Sequence, residues 1–138
     1  MNNDIKYNNY CIKLKKYKTF IKSMKNKYIS IPNIYKDYII QGFCIIDKYT
    51  LITAYDGNKK NNSIIYLIDN NKELIKVVTL DSKYHCGGIA YHKKSNSIYI
   101  TGESGVNNGI SSYINKYKFI DILNNDKVYA STKFKVDD

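Results

Sequence analysis

The chain has 138 residues, enough for one ordinary domain with a real core, and carries a formal net charge of +10. It has no tryptophan, and all 22 of its basic residues are lysine, which excludes nucleic-acid readout of the kind that depends on the arginine fork. No apolar run is long enough for a membrane span or for the core of a secretory signal, which favours a cytoplasmic setting for the chain as given. The three cysteines, Cys11, Cys44 and Cys86, are an odd number without metal-like spacing, so no metal, cofactor or disulfide framework is expected.

The charge divides the chain in two. Residues 1–30 hold 8 lysines and one aspartate, for +7, leaving +3 for residues 31–138. The first segment therefore reads as a basic N-terminal arm, partly extended or disordered, with a strand-like stretch between Tyr10 and Tyr28. Such an arm is attracted to phosphates and anionic surfaces, or is simply solvated. Pro32, the only proline, lies beside Asn33 and marks a turn.

From residue 41 the pattern becomes short β-rich runs between turn residues. The runs are GFCII, TLITAY, SIIYLID, ELIKVVTL, GGIAYH, SIYIT, ISSYI and KVYAS. Isoleucine, valine, tyrosine and threonine suit a pleated surface, and the Asp-, Asn-, Gly- and Lys-rich separators suit hairpin turns. No helical periodicity competes. Gly42 and Gly88 lead apolar runs 46 residues apart, and Ile64, Ile68 and Asp69 recur at the same interval as Ile110, Ile114 and Asn115. The spacing predicts two units, about 41–86 and 87–134, each a glycine-led strand, a hairpin, a strand ending in Asp or Asn, and a last strand. The predicted class is all-β, with consecutive antiparallel four-stranded sheets.

The segments IPNIYKDYIIQGFCIIDKYTLITAYD, NSIIYLIDNNKELIKVVTL and YHCGGIAYHKKSNSIYITG resemble the opening blades of bacterial β-propeller repeat proteins, with a QG-strand and an HxGGIA-strand. The resemblance covers roughly residues 29–134 and implies about two blades in an open or incomplete ring. Three readings of that incompleteness stand: a fragment of a larger propeller, a ring built from several copies, or two sheets closed as a small sandwich. The resemblance implies no chemistry; the 46-residue repeat that stops after two units makes the expected function a binding or scaffold unit with no identifiable catalytic activity, associating with a protein partner or itself through open sheet faces. The alternatives are a lactonase or lyase acting at the channel mouth, and a lysine-arm protein that binds nucleic acid or an anionic surface.

The candidate site gathers around His85. His85 and Gln41 fall at nearly equivalent positions before the glycine-led strands, and Gly87 and Gly88 permit close backbone approach there. His85 is the candidate base, with Glu103 in support. The structural alternative is that Gln41 and His85 bond backbone groups and lock neighbouring sheets. His92, at a hairpin tip, reads as solvated. Asp47, Asp56, Asp69, Asp81 and Glu103 read as acids capping local backbone N–H groups. The 15 tyrosines read as cross-strand packing.

Overall fold

The computed structural model describes residues 35–102 and 112–136. The arm at 1–30, Cys11 and Glu103 lie outside the described residues. The described chain is mostly β: two four-stranded antiparallel sheets and one short helix.

The first sheet is a meander of β1 (Tyr38–Ile46), β2 (Tyr49–Asp56), β3 (Ile64–Ile68) and β4 (Leu74–Thr79). The second has the same order, with β5 (Ile89–His92), β6 (Ser97–Thr101), β7 (Ser112–Lys118) and β8 (Thr132–Val136). Helix α1 (Phe119–Asn124) follows β7 directly. Neither sheet closes on itself, so β1, β4, β5 and β8 are edges.

The expected turn chemistry forms the hairpins. Asp47 turns β1 into β2 at φ 49°. The Asp56 carboxylate accepts from the backbone N–H groups of Asn58, Lys60 and Asn61 at 2.8–3.2 Å, folding the loop before β3. Those bonds favour the charged form and hold the Asp56 carboxyl below the usual carboxylate range. Asp69 accepts from Asn71 and Glu73 in the β3–β4 turn. The β5–β6 hairpin is a short 3-10 turn, Lys93–Ser95, in which Nδ1 of the exposed His92 accepts from the Ser95 N–H.

Residues directly opposed in an antiparallel pair share a face. On the first sheet that puts Gly42, Cys44, Leu51, Thr53, Ile65 and Leu67 on one face, with Ile40, Phe43, Ile45, Ile52, Tyr66 and Ile68 on the other. On the second it puts Ile89, Tyr91, Ile98, Ile100, Asn115 and Tyr117 on one face, and Ala90, Tyr99, Thr101, Ile114 and Phe134 on the other. The first-named faces pack together. Leu51, Ile65, Leu67 and Val78 meet Ile98, Ile100 and Tyr117, joined by Leu80, Tyr84 and Cys86 of the connection and by Phe119 and Ile122 of α1.

Three expectations need correction. KVYAS forms no strand: Thr79 bonds both the Asp126 carbonyl and the Val128 N–H at 2.8 and 2.9 Å, so residues 126–128 are drawn to the edge of β4. The last strand lies further on, at Thr132–Val136. Asn115 does not end its strand; it is buried in the middle of β7, which runs on to Lys118. FIDILN, not anticipated as helix, forms α1. Cys86 is fully buried and Cys44 partly so, as expected of small apolar residues.

Candidate functional site

The segment between the sheets, residues 80–88, positions the candidate residues. Its side chains alternate, with Tyr84 and Cys86 buried and His85 and Gly87 exposed. Cys86 sits in the left-handed region at φ 48°, uncommon for a residue with a side chain. Thr53 of β2 holds it there. The buried Thr53 hydroxyl donates to the Cys86 carbonyl at 2.8 Å and accepts from the Gly42 N–H at 3.0 Å. The Cys86 thiol, shut away from water, has its pKa pushed up to about 11.

The close backbone approach falls on Gly42 and not on the predicted Gly87–Gly88 pair: a Cβ on Gly87 would have its nearest atom 3.8 Å away, and one on Gly88 would meet only the Thr101 side chain. A Cβ on Gly42 would lie 2.5 Å from the Gly87 carbonyl oxygen, so β1 and the start of β5 approach in a way that only glycine permits. Gly88 faces Thr101 of β6, whose hydroxyl accepts from the Gly88 N–H at 2.8 Å. The Gly42–Thr53 bond of the first sheet therefore has a counterpart in the second.

The predicted residues gather only in part. The exposed His85 ring stacks on Tyr55 of β2, with centroids 4.1 Å apart and planes 19° from parallel. Gln41 is the extra residue of a bulge in β1, and its side-chain amide donates to the Ile40 carbonyl at 3.2 Å. Its Oε1 is the atom nearest to a Cβ placed on Gly87, at 3.8 Å. Gln41, Gly87 and Gly88 thus meet at the β1–β5 junction, with His85 laid flat on the neighbouring Tyr55. Among the described residues no group of three or more His, Cys, Asp or Glu side chains is arranged to hold a metal. None of their helices is long and apolar enough to cross a membrane.

Sequence reasoning missed a second cluster, which lies in the core between the sheets. The Tyr117 hydroxyl donates to Asp81 Oδ1 at 2.6 Å and is hydrogen-bonded to the Tyr84 hydroxyl. The other Asp81 oxygen accepts from the Ala130 N–H at 3.1 Å and has the Lys133 ammonium 3.7 Å away. The Tyr84 carbonyl in turn accepts from the Ser63 hydroxyl. Burial raises the pKa of both tyrosines, and for Tyr117 the adjoining Tyr84 hydroxyl and Asp81 carboxylate raise it further. Every oxygen of Asp81 is occupied by a protein donor, so the cluster fixes the connection against β7. Asp81 and Tyr84 sit in the polar run DSKYH, which in sequence reads as a turn.

An open hollow of about 620 Å³ lies beside β3 and β4, lined by Tyr35, Tyr38, Lys60, Asn61 and Lys83 among others. Around it the Asn61 side-chain amide donates to Asp56 at 2.9 Å, the Tyr38 hydroxyl donates to the Asn62 carbonyl at 2.8 Å, and the Asn62 side-chain amide donates to the Leu80 carbonyl at 2.9 Å.

Comparison with family models, with curated proteins and with solved structures finds no match.

Proposed function

We propose that this protein is a non-catalytic binding or scaffold unit of β-propeller type, its two sheets acting as consecutive blades whose exposed edge strands β1 and β8 meet further protein. The observation that carries the reading is the glycine–threonine contact made twice. Gly42 and Gly88 are 46 residues apart, Thr53 and Thr101 are 48 apart, and both threonine hydroxyls accept from their glycine N–H at 2.8–3.0 Å. The two-residue difference matches the longer β5–β6 turn. Four antiparallel strands in meander order, with the first strands of both sheets adjacent, is how neighbouring blades stack around an axis.

The registers support the same equivalence in the third strand, at a different interval. Ile52 pairs with Tyr66, and its counterpart Ile100 pairs with Asn115, so Tyr66 corresponds to Asn115 and Ile68 to Tyr117, 49 residues on. The anchors Ile68 and Ile114, which match in sequence at 46 residues, then lie on non-equivalent faces.

An experimental solution structure tests the reading. Strands β1–β4 should superimpose on β5–β8 in order, with Thr53 on Thr101 and Gly42 on Gly88. Sheets that fail to superimpose overturn it.

A further inference from the structure

We infer that the outer face of the second sheet binds single-stranded nucleic acid without base specificity, its aromatic side chains stacking on unpaired bases and its lysines meeting the phosphates. The inference adds a ligand to the sheet face and does not depend on the blade reading.

The two sheets differ in which outer face water reaches. On the first, Ala54, Ile64, Tyr66 and Ile68 are 0–3% exposed, so that part of the face is shut. On the second, Ala90 and His92 of β5, Thr101 of β6, Lys118 of β7 and Phe134 of β8 share the outer face and are all exposed.

An aromatic row crosses this open face. The His92 ring meets Tyr99 edge-on with centroids 6.4 Å apart, and Tyr99 meets Phe134 at 6.2 Å with planes 32° from parallel. The row therefore reaches from β5 across β6 to β8. Phe134 is 44% exposed, which leaves much of its ring to solvent. The half-buried Tyr99 has the Lys116 ammonium 6.0 Å from its centroid. Lys116 lies on β7, the strand between those that carry the two rings.

The charge around the rings is of one sign. Lys116 and Lys118 share the face two residues apart, about 6.6 Å along the strand. The exposed Lys93 and Lys94 occupy the turn that follows His92. The outer-face positions of β5, β6, β7 and β8 hold no aspartate or glutamate.

The chain has no arginine, and lysine meets phosphate as a point charge without reading bases. An aromatic ring offers a π-face on which any base can stack. Open four-stranded sheets use that combination to hold unpaired bases. In a duplex the bases are already stacked on one another, and this face presents no helix or ribbon to enter a groove. An acidic peptide or an anionic lipid surface would engage the lysines and leave the aromatic row unused.

Fluorescence anisotropy of labelled oligothymidylate with the full chain tests the inference. The wild-type chain should bind it more tightly than a duplex of the same length, with an affinity that falls as salt rises. Phe134→Ala leaves the charge unchanged and should weaken binding about 5- to 100-fold. Phe134→Trp should keep the affinity. Lys118→Ala should reduce the salt slope by about 0.7. Circular dichroism checks the β structure of each variant. Should Phe134→Ala fail to fold, Phe134→Leu keeps the apolar bulk, removes the ring and should weaken binding in the same way. An affinity that neither substitution changes overturns the inference and assigns the binding to lysines elsewhere in the chain. So does tighter binding to the duplex, or no binding to oligothymidylate at low salt. Polyglutamate or phosphatidylserine vesicles that bind as tightly, and lose as much with Phe134→Ala, overturn it too and give the face to an acidic peptide or a lipid surface. None of these outcomes bears on whether the two sheets superimpose, so the blade reading stands or falls separately.

Discussion

Thr53 and Thr101 do the same thing in two different surroundings. Both bridge a glycine across the first hairpin of their sheet, but Thr53 is fully buried and also holds the Cys86 carbonyl. Replacing Thr53 by valine keeps the shape and leaves the Gly42 N–H and the Cys86 carbonyl without that hydroxyl in the core, at a cost of about 1–3 kcal/mol. Thr101→Val leaves groups that water reaches, and its cost should be clearly smaller. Urea denaturation midpoints of the two variants check the order, and equal losses would contradict it. Cys86, with its thiol pushed up to about 11 by burial, should resist alkylation at mildly alkaline pH until the chain unfolds. Peptide-level mass spectrometry after iodoacetamide treatment, with and without urea, reads that protection directly. Threonine at 53 is an ordinary strand former in sequence, and nothing local to TLITAYD announces a bond to residue 86.

At the scale of elements, the strands were legible because their signals are local. Period-two alternation in SIIYLID and SIYIT, and turn residues such as Asp47, Asp56 and Asp69, act within a few positions. The failures were of a different kind. FIDILN is rich in β-favouring residues and spans less than two turns, too short for helical periodicity to register, so its geometry follows from packing Phe119 and Ile122 into the core. KVYAS and TKFKV alternate equally well; Asp81 and Thr79 decide between them by binding the backbone of residues 126–130. The glycines at the junction separate by what they face. A methyl group on Gly42 meets a backbone oxygen at 2.5 Å, whereas one on Gly88 meets the Thr101 methyl at 2.7 Å, which a rotamer change can move. Gly42→Ala should therefore cost about 1–3 kcal/mol by forced backbone displacement, and Gly88→Ala less. Thermal unfolding of both variants checks the difference.

Over the whole molecule, the two sheets are held by an apolar core with a polar seam through it, Asp81–Tyr117–Tyr84. The seam links stability to pH. Both tyrosines have folded-state pKa values raised above the ordinary phenol value of about 10, so they stabilise the fold fully below that pH. As pH rises beyond it the unfolded chain releases those protons more readily, and stability falls. The melting temperature should hold steady near neutrality and drop above pH about 10, together with the rise in tyrosinate absorbance. Tyr117→Phe should flatten that drop while lowering neutral-pH stability by about 1.5–3 kcal/mol, the worth of a hydrogen bond to a charged group. Titration of the buried tyrosines without loss of structure would contradict the seam's role.

The all-β class, most strand positions and the meeting of Gln41, Gly87 and Gly88 at one junction follow from the amino-acid order, because alternation, turn chemistry and glycine spacing act over short range. Tertiary packing decided the rest. It laid His85 on Tyr55, drew Asp81 and Tyr84 out of an apparent turn into the core, and set β7 three residues away from its expected register. Each of these depends on which residue a distant strand presents, and the pairing of distant strands is a property of the assembled sheets, not of any local run of residues.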